Sequence, residues 1–292
     1  MQKLSQEALI EAGVHFGHLK RKWNPKMLPY IFTEKKGIHI IDLNRTTEKL
    51  DEAANALRFM AKSGKKILFV ATKKQAKEIV KEAAKKVNMP FVTERWLGGM
   101  LTNFTTIRKS IKKMQTIEKM LADGTLENTT KKERLVLTRE KDKMERVLGG
   151  VSALNRVPSA IFLVDISHEH IALKEAQRLN INTFGIVDTN SDPTKVDFAI
   201  PANDDAAQSI ALITNFIVEA IAEGLAERAA NKDGEDDGDV EDNDNQNLEV
   251  VSEEEGADGK RRRRGTGGGN AGGGAGRSRS RTGGGGAGAV KK

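Results

Sequence analysis

The chain has 292 residues, no cysteine and a formal net charge of +7 at pH 7. This length suits one large domain or two ordinary ones, and the lack of cysteine excludes disulfides and thiolate metal sites. We find neither an apolar run long enough for a bilayer nor a signal peptide, so we expect a cytoplasmic protein without a membrane partner, whose basic charge favours a polyanion.

The first predicted elements are a short helix over residues 4–12, with Ser5 as its N-cap, and a β-hairpin. Residues 30–33 and 38–41 flank the turn Glu-Lys-Lys-Gly and are typical of paired strands. We then expect Asn44 to cap a helix that runs to about Lys62 and stops at Gly64.

The segment between the first helix and the hairpin is basic, aromatic and rich in proline. Its sequence includes Leu-Lys-Arg-Lys-Trp-Asn-Pro-Lys. Arginine and lysine neutralise phosphates, and an indole stacks on a base, so this mixture suits RNA. The candidate RNA contacts are Lys20, Arg21, Lys22, Trp23 and Lys26. The residues alone are also compatible with an ordinary basic surface loop.

From residue 67 onwards, apolar runs alternate with helical patterns. We predict strands over residues 67–71, 91–92, 160–164, 183–187 and 198–200. Helices are predicted over residues 75–87, 169–179 and 206–228. Continuous apolar strands that alternate with helices indicate an α/β fold with a doubly wound parallel sheet.

The strand pattern stops between residues 100 and 148, where two helical stretches, 102–121 and 131–148, predict an inserted helical hairpin. Glycine pairs at 98–99 and 149–150 allow the chain to leave the sheet and return. Trp96 is interpreted as a packing anchor where the inserted hairpin joins the sheet, rather than as a platform on which a nucleotide base stacks. The predicted RNA contacts on its outer face are Arg108, Lys109, Lys112 and Lys113.

The predicted domains are an α/β domain formed by residues 1–99 and 149–230, the inserted hairpin over 100–148, and a tail over 231–292. Residues 233–258 contain acids but no lysine or arginine, and residues 260–292 contain bases but no acids. This composition predicts disorder. The candidate RNA contacts in the tail are Arg261, Arg262, Arg263 and Arg264, and the alternative is a solvated tail without selectivity.

An enzyme is a serious alternative, because this fold class often binds nucleotides at the carboxyl ends of its strands. The turn after the first parallel strand, Thr-Lys-Lys-Gln at 72–75, contains no glycine that would let the backbone approach a pyrophosphate. Lys73 and Lys74 are therefore either RNA phosphate ligands or solvated cations. A cytosolic nucleotide- or flavin-binding enzyme and a free RNA-binding regulator stay open as alternatives.

Carboxylates follow several of the predicted strands at one edge of the sheet. Asp165 and Asp188 come directly after strands, and Asp204 and Asp205 open the last helix. Clustered carboxylates repel one another unless a cation joins them, and oxygen ligands suit Mg²⁺. We predict a structural divalent cation held by Asp188, Asp204 and Asp205, with His18 as an extra ligand. Helix capping by these aspartates is the alternative.

Several ordered blocks resemble the bacterial small-subunit ribosomal protein two family. They are the opening basic segment, Arg-Trp-Leu-Gly-Gly-Met-Leu-Thr-Asn at 95–103, Leu-Gly-Gly at 148–150, Pro-Ser-Ala-Ile-Phe-Leu-Val-Asp at 158–165, and Gly-Ile-Val-Asp-Thr-Asn-Ser-Asp-Pro at 185–193. The similarity extends to about residue 228. Typical members end soon after the last helix, so the tail is a departure from the family.

The resemblance implies a Rossmann-like or flavodoxin-like domain that carries a helical hairpin, and a structural role without catalysis or a required cofactor. It implies a small-subunit component that binds ribosomal RNA and bridges the head and body. The implied partners are ribosomal RNA, neighbouring small-subunit proteins and ribosomal protein one.

Overall fold

The structure is a computed structural model that describes residues 4–123 and 130–233. Its strands are β1 (Phe16–Leu19), β2 (Ile31–Lys35), β3 (Ile38–Ile41), β4 (Ile67–Val70), β5 (Phe91–Val92), β6 (Ala160–Val164), β7 (Asn182–Val187) and β8 (Phe198–Pro201). Its α-helices are α1 (Gln6–Glu11), α2 (Leu43–Lys62), α3 (Lys77–Lys86), α4 (Phe104–Ala122), α5 (Lys131–Leu148), α6 (His170–Arg178) and α7 (Ala207–Asp233).

The last five strands form a parallel sheet in the order β5-β4-β6-β7-β8. Phe69 faces a core shared with α2, α3 and α7, whereas its neighbours Leu68 and Val70 face a second core shared with α6 and the base of α4. Because these strands are buried on both faces, their sequences are continuous apolar runs. The α/β fold class predicted from the sequence is confirmed.

A smaller antiparallel sheet precedes the parallel one, in the order β1-β3-β2. The predicted hairpin is present as β2 and β3. The sequence did not predict β1, because its sequence Phe-Gly-His-Leu contains a glycine and leaves Phe16 and Leu19 substantially exposed. No clear alternation of buried and exposed residues marks this strand.

Several helices begin or end at other residues than the sequence predicted, among them α2 and α7. Asp42, and not Asn44, caps α2, since its carboxylate accepts a hydrogen bond from the Asn44 backbone N–H at 3.0 Å. The last helix continues to Asp233, five residues past its predicted end at 228.

The expectation that no apolar segment is long enough to cross a bilayer was wrong, because helix α7 is such a segment. Its residues 207–231 are long and apolar enough to cross a membrane by length and composition alone. Of an 18-residue apolar segment of this helix, 56% is buried inside the protein, and the helix packs on α2 and α3. This burial is typical of a core helix that packs on one face of a sheet covered by helices on both sides.

Helices α4 and α5 pack on each other, and α4 buries Ile107, Ile111, Met114 and Ile117. The Lys113 ammonium pairs with the Glu140 carboxylate between the two helices. The chain then returns to the sheet at Gly150, where an added Cβ would collide with the Phe91 carbonyl oxygen of β5. The division into an α/β domain and an insertion stays a prediction. The first three residues of the predicted tail, 231–233, belong to α7, and the rest of the tail lies outside the described residues.

Candidate nucleic-acid interface

The basic segment, residues 19–26, is seated on the carboxyl end of the parallel sheet by backbone hydrogen bonds. The N–H of His18 donates to Thr189 Oγ1 at 2.8 Å, and the N–H of Asn24 donates to the Thr189 carbonyl oxygen at 2.8 Å. Gly17 permits this contact, because a Cβ at that position would lie only 2.8 Å from Thr189 Oγ1. The segment therefore has a defined position although its side chains reach into solvent.

Two of its predicted RNA contacts are paired within the chain. Lys20 Nζ lies 2.6 Å from Glu34 Oε2, and Lys26 Nζ lies 2.8 Å from Asp192 Oδ2. Within residues 4–123 and 130–233, no ion pair is formed by the exposed side chains of Arg21 and Lys22. These two cations are available to a phosphate without breaking an internal pair.

Trp23 is half-buried and packs on a second ring. Its centroid lies 5.1 Å from that of His39, with the ring planes tilted by 47°. Both ring nitrogens of His39 are buried and have no hydrogen-bond partner in the described chain. The indole therefore supports the small sheet on one side, and only its remaining exposed surface is available to a base.

The hairpin presents a second group of cations. Lys109 and Lys112 are exposed and Arg108 is half-buried, and none of them forms an ion pair within the portion of the chain that the structure describes. Lys113 differs from these three residues, because its ammonium forms an ion pair with Glu140. The four residues predicted on this helix thus differ in how much of their charge is already compensated.

Lys73 lies inside a carboxylate cluster and not on an open surface. Its ammonium is 2.8 Å from a carboxylate oxygen of each of three residues, Asp165, Asp204 and Asp205. Burial alone would lower the pKa of Lys73, but the hydrogen bonds to these carboxylates outweigh it and raise the pKa. Lys73 is therefore a structural cation that joins β4 to the ends of β6 and β8, whereas Lys74 is exposed.

The predicted metal ligands meet beside Lys73. His18 Nδ1 lies 2.9 Å from Asp188 Oδ2, and His18 Nε2 lies 3.4 Å from Asp205 Oδ2. One donor atom from each of His18, Asp188 and Asp204 lies within 4.8 Å of the others. The hydrogen bond to Asp188 raises the pKa of His18 against the effect of burial. The arrangement joins β1 to the ends of β7 and β8.

Asp204 is the most constrained of these groups. Its side chain is fully buried, and burial together with the charges of Asp165 and Asp188 raises its pKa to about 7, against the effect of Lys73. One ammonium shared among three carboxylates does not neutralise the cluster, so a charged Lys73 and a raised pKa for Asp204 are consistent.

Glu175 on α6 was not predicted as a site residue. Its carboxylate accepts hydrogen bonds from Trp96 Nε1 at 3.1 Å and from the backbone N–H groups of Gly99, Leu101 and Thr102. It thereby fixes the turn that leads into α4. No local signal marks it in the sequence, because an acid on a helix ordinarily faces water.

Two comparisons with known proteins agree. Residues 9–224 match the family described as ribosomal protein S2. The chain is 60% identical over 232 residues to the small ribosomal subunit protein uS2 of Cytophaga hutchinsonii, covering 80% of this chain and 91% of the relative. It has the same identity and coverage of this chain with the uS2 proteins of Porphyromonas gingivalis and Bacteroides fragilis, of which it covers 83% and 84%.

Proposed function

We propose, from the premise that this chain belongs to the ribosomal protein S2 family and is a structural component of the small ribosomal subunit, that it binds ribosomal RNA through two basic surfaces. The loop surface consists of Arg21, Lys22 and the exposed part of Trp23. The hairpin surface consists of Arg108, Lys109 and Lys112. Its role is structural and not enzymatic, and its partners are ribosomal RNA and other ribosomal proteins.

The observation that carries the proposal is the pairing pattern of the cations. Lys20, Lys26, Lys73 and Lys113 have carboxylate partners inside the chain. A phosphate gains most from a cation whose charge is not already compensated, since an internal pair must first be broken and its carboxylate resolvated. Arg21 and Lys22 combine exposure with a backbone held in place at Thr189.

A matched pair of double variants tests the loop surface. Arg21→Ala/Lys22→Ala and Lys20→Ala/Lys26→Ala remove the same formal charge, but only the first removes unpaired cations. Binding to small subunits depleted of this protein is measured against salt concentration. We expect the first variant to weaken binding and to reduce the slope of log K against log salt by about 1.5, the value for two phosphate contacts. Equal effects of the two variants would contradict the proposal.

Bridging of the head and body of the subunit is part of the proposal, and the two basic surfaces supply two separate points of attachment. Because the chain has no cysteine, Lys22→Cys and Lys112→Cys each introduce a single attachment point for a tethered hydroxyl-radical probe. We expect cleavage of head RNA from one position and body RNA from the other. Cleavage confined to one RNA domain from both positions would contradict bridging.

We further propose that neighbouring small-subunit proteins and ribosomal protein one contact this chain, that it works in the cytoplasm, and that a structural divalent cation binds beside Lys73. Recruitment is tested by the amount of ribosomal protein one that pellets with subunits lacking or containing this chain.

A nucleotide- or flavin-binding enzyme is not favoured, because the strand ends where such ligands bind are occupied by Lys73 and by carboxylates that repel phosphate.

A further inference from the structure

We infer that the groove between α6 and the short 3₁₀ helix Pro193–Lys195 binds a single-stranded segment of RNA that continues from the loop surface. The inference rests on the proposed function, because it names a further contact of the same RNA. Three observations carry it: the shape of the groove, two lysines without ion-pair partners, and a link between the groove and the basic segment.

The groove consists of two adjacent cavities with volumes of about 270 and 300 Å³. Gln177 and Lys195 line both cavities, and Gln177 Nε2 donates a hydrogen bond of 2.7 Å to the Lys195 carbonyl oxygen. His170, Lys174 and Gln177 follow one another at four and three residues, so they form one face of α6. The groove therefore has one helical wall, and the combined volume of its cavities is in the range of ligand sites.

The smaller cavity contains positive charge that is available to a phosphate. Lys174 and Lys195 line it, both are exposed, and neither forms an ion pair in the described ranges 4–123 and 130–233. The carboxylate in its lining, Asp192, is already paired with Lys26 at 2.8 Å. A phosphate between the two lysines therefore meets two ammonium groups without breaking an internal ion pair.

The larger cavity contains groups that can hydrogen-bond to sugars and base edges. Asn180, Asn182 and Asp197 line it. The Asp197 carboxylate is held in place by Thr183, whose N–H and Oγ1 both donate to it at 2.8 Å. Amides donate and accept, and a carboxylate accepts from a base amino group or a 2′-hydroxyl. The base edges of an RNA duplex are largely inaccessible to side chains, so these contacts require an unpaired strand.

The basic segment leads directly to the groove. Lys26 is its last residue, and Lys26 Nζ lies 2.8 Å from Asp192 Oδ2 and 3.2 Å from Thr194 Oγ1. Asp192 lines the smaller cavity and Thr194 the larger one. A strand that leaves the loop surface and passes over Lys26 thus enters the groove, and the two surfaces form one track.

An acidic protein segment is the other occupant that the two lysines could attract. RNA fits the groove better, because its charged phosphates alternate with neutral sugars and bases. This alternation matches a cavity with two lysines beside a cavity with amides and a carboxylate. Asp197 would repel acidic side chains, whereas it can accept hydrogen bonds from the neutral parts of a nucleotide.

Cross-linking tests the occupant directly. Because the chain has no cysteine, His170→Cys and Asn182→Cys each carry one photoreactive group, one in each cavity, and both leave the groove lysines intact. Lys65→Cys, at an exposed residue just before β4, is the control. The labelled full-length chains are bound to small subunits depleted of this protein and irradiated. We expect both groove positions to cross-link to one short unpaired RNA region that the control does not reach.

Three results of this experiment would overturn the inference. They are cross-links to protein only, no cross-links from either groove position, and cross-links from Lys65→Cys to the same nucleotides.

A charge experiment measures the contribution of the two lysines. Lys174→Ala/Lys195→Ala removes the groove lysines, and Lys65→Ala/Lys86→Ala removes two other exposed lysines without ion pairs in the described chain. Binding to depleted small subunits is measured against salt concentration. We expect the groove variant alone to reduce the slope of log K against log salt by about 1.4, the value for two phosphate contacts on a single strand. Equal slopes for the two variants would overturn the inference.

Failure of this inference is distinguishable from failure of the proposed function. If the groove does not bind RNA, Lys174→Ala/Lys195→Ala binds like wild type while Arg21→Ala/Lys22→Ala is still impaired. If the proposed function is wrong, the loop variant also binds like wild type.

Discussion

The indole Nε1 of Trp96 donates a hydrogen bond of 3.1 Å to Oε1 of Glu175, and both side chains are buried. This pair ties the start of the helical hairpin to α6, since the same carboxylate also accepts from the backbone N–H groups that follow Trp96. Trp96 is therefore a packing anchor, as the sequence indicated. The two carboxylate oxygens of Glu175 thus accept hydrogen bonds along the whole turn from Gly99 to Thr102.

We expect Glu175→Gln to destabilise the protein by about 2–4 kcal/mol, because a carboxamide offers one acceptor oxygen and turns an N–H₂ group towards donors. Urea unfolding monitored by Trp fluorescence measures the change. Glu48→Gln, which removes an exposed ion pair with Arg45, is the control and should cost less than about 0.5 kcal/mol. A cost at Glu175 as small as that would contradict the anchoring role.

The same variant has a pH signature. Burial would raise the pKa of Glu175, but the hydrogen bonds from Gly99, Trp96 and their neighbours outweigh burial and lower it. A group whose pKa is lowered on folding stabilises the native state above its unfolded pKa of about 4.3, and this contribution is lost as pH falls further. The stability of wild type should therefore converge on that of Glu175→Gln in acid. A constant difference between them down to low pH would contradict this origin.

Gly150 should tolerate no side chain. An added Cβ would collide with the carbonyl oxygen of Phe91, which belongs to the backbone of β5 and has little freedom to move. We expect Gly150→Ala to cost about 1–3 kcal/mol in thermal or urea unfolding, as overpacking does elsewhere. Gly98→Ala is the matched control, because nothing lies within 4 Å of its added Cβ. Similar costs at both positions would mean that the close approach to β5 is not the cause.

The ion pair between Lys26 and Asp192 can be tested at the carboxylate. Burial would raise the pKa of Asp192, but hydrogen bonds from Lys26 and Thr194 lower it to about 2. We expect Lys26→Met to raise this pKa towards its ordinary value of about 3.9, as measured by NMR titration of the carboxyl carbon. Lys20→Met, which breaks the separate pair with Glu34, should leave Asp192 unchanged. An unaltered pKa in Lys26→Met would show that Thr194 alone is sufficient.

The tail prediction covers residues 231–292, of which residues 234–292 lie outside the described residues. Deleting them keeps all of α7, and we expect weaker binding to small subunits in low salt but equal binding in high salt, because tail arginines contact phosphates. Replacing Arg261, Arg262, Arg263 and Arg264 by glutamine should reproduce most of the loss. Identical binding of the deleted chain at every salt concentration would identify a solvated tail without selectivity.

The parallel sheet could be predicted from sequence because each strand has its own apolar run, such as Ile67–Val70. Because Asp188 and Asp204 follow strands of the same predicted parallel sheet, the sequence also indicated that they would meet at one edge of it. The pairing of Lys73 could not be predicted, since its partner Asp204 is 131 residues away and a lysine at a helix start looks solvated. The same limit applies to Glu175, whose hydrogen-bond donors lie about 75 residues earlier in the chain.

The contacts that seat the basic segment have a consequence for the order of events during synthesis. His18 is held by Thr189, and the carbonyl oxygen of Gly13 accepts from the side chain of Asn203, 190 residues later. Until residue 203 has been synthesised, the growing chain lacks the surface on which its own N-terminal segment packs. The basic segment is thus synthesised first but reaches its folded position last, so an incomplete chain lacks this segment in its folded form.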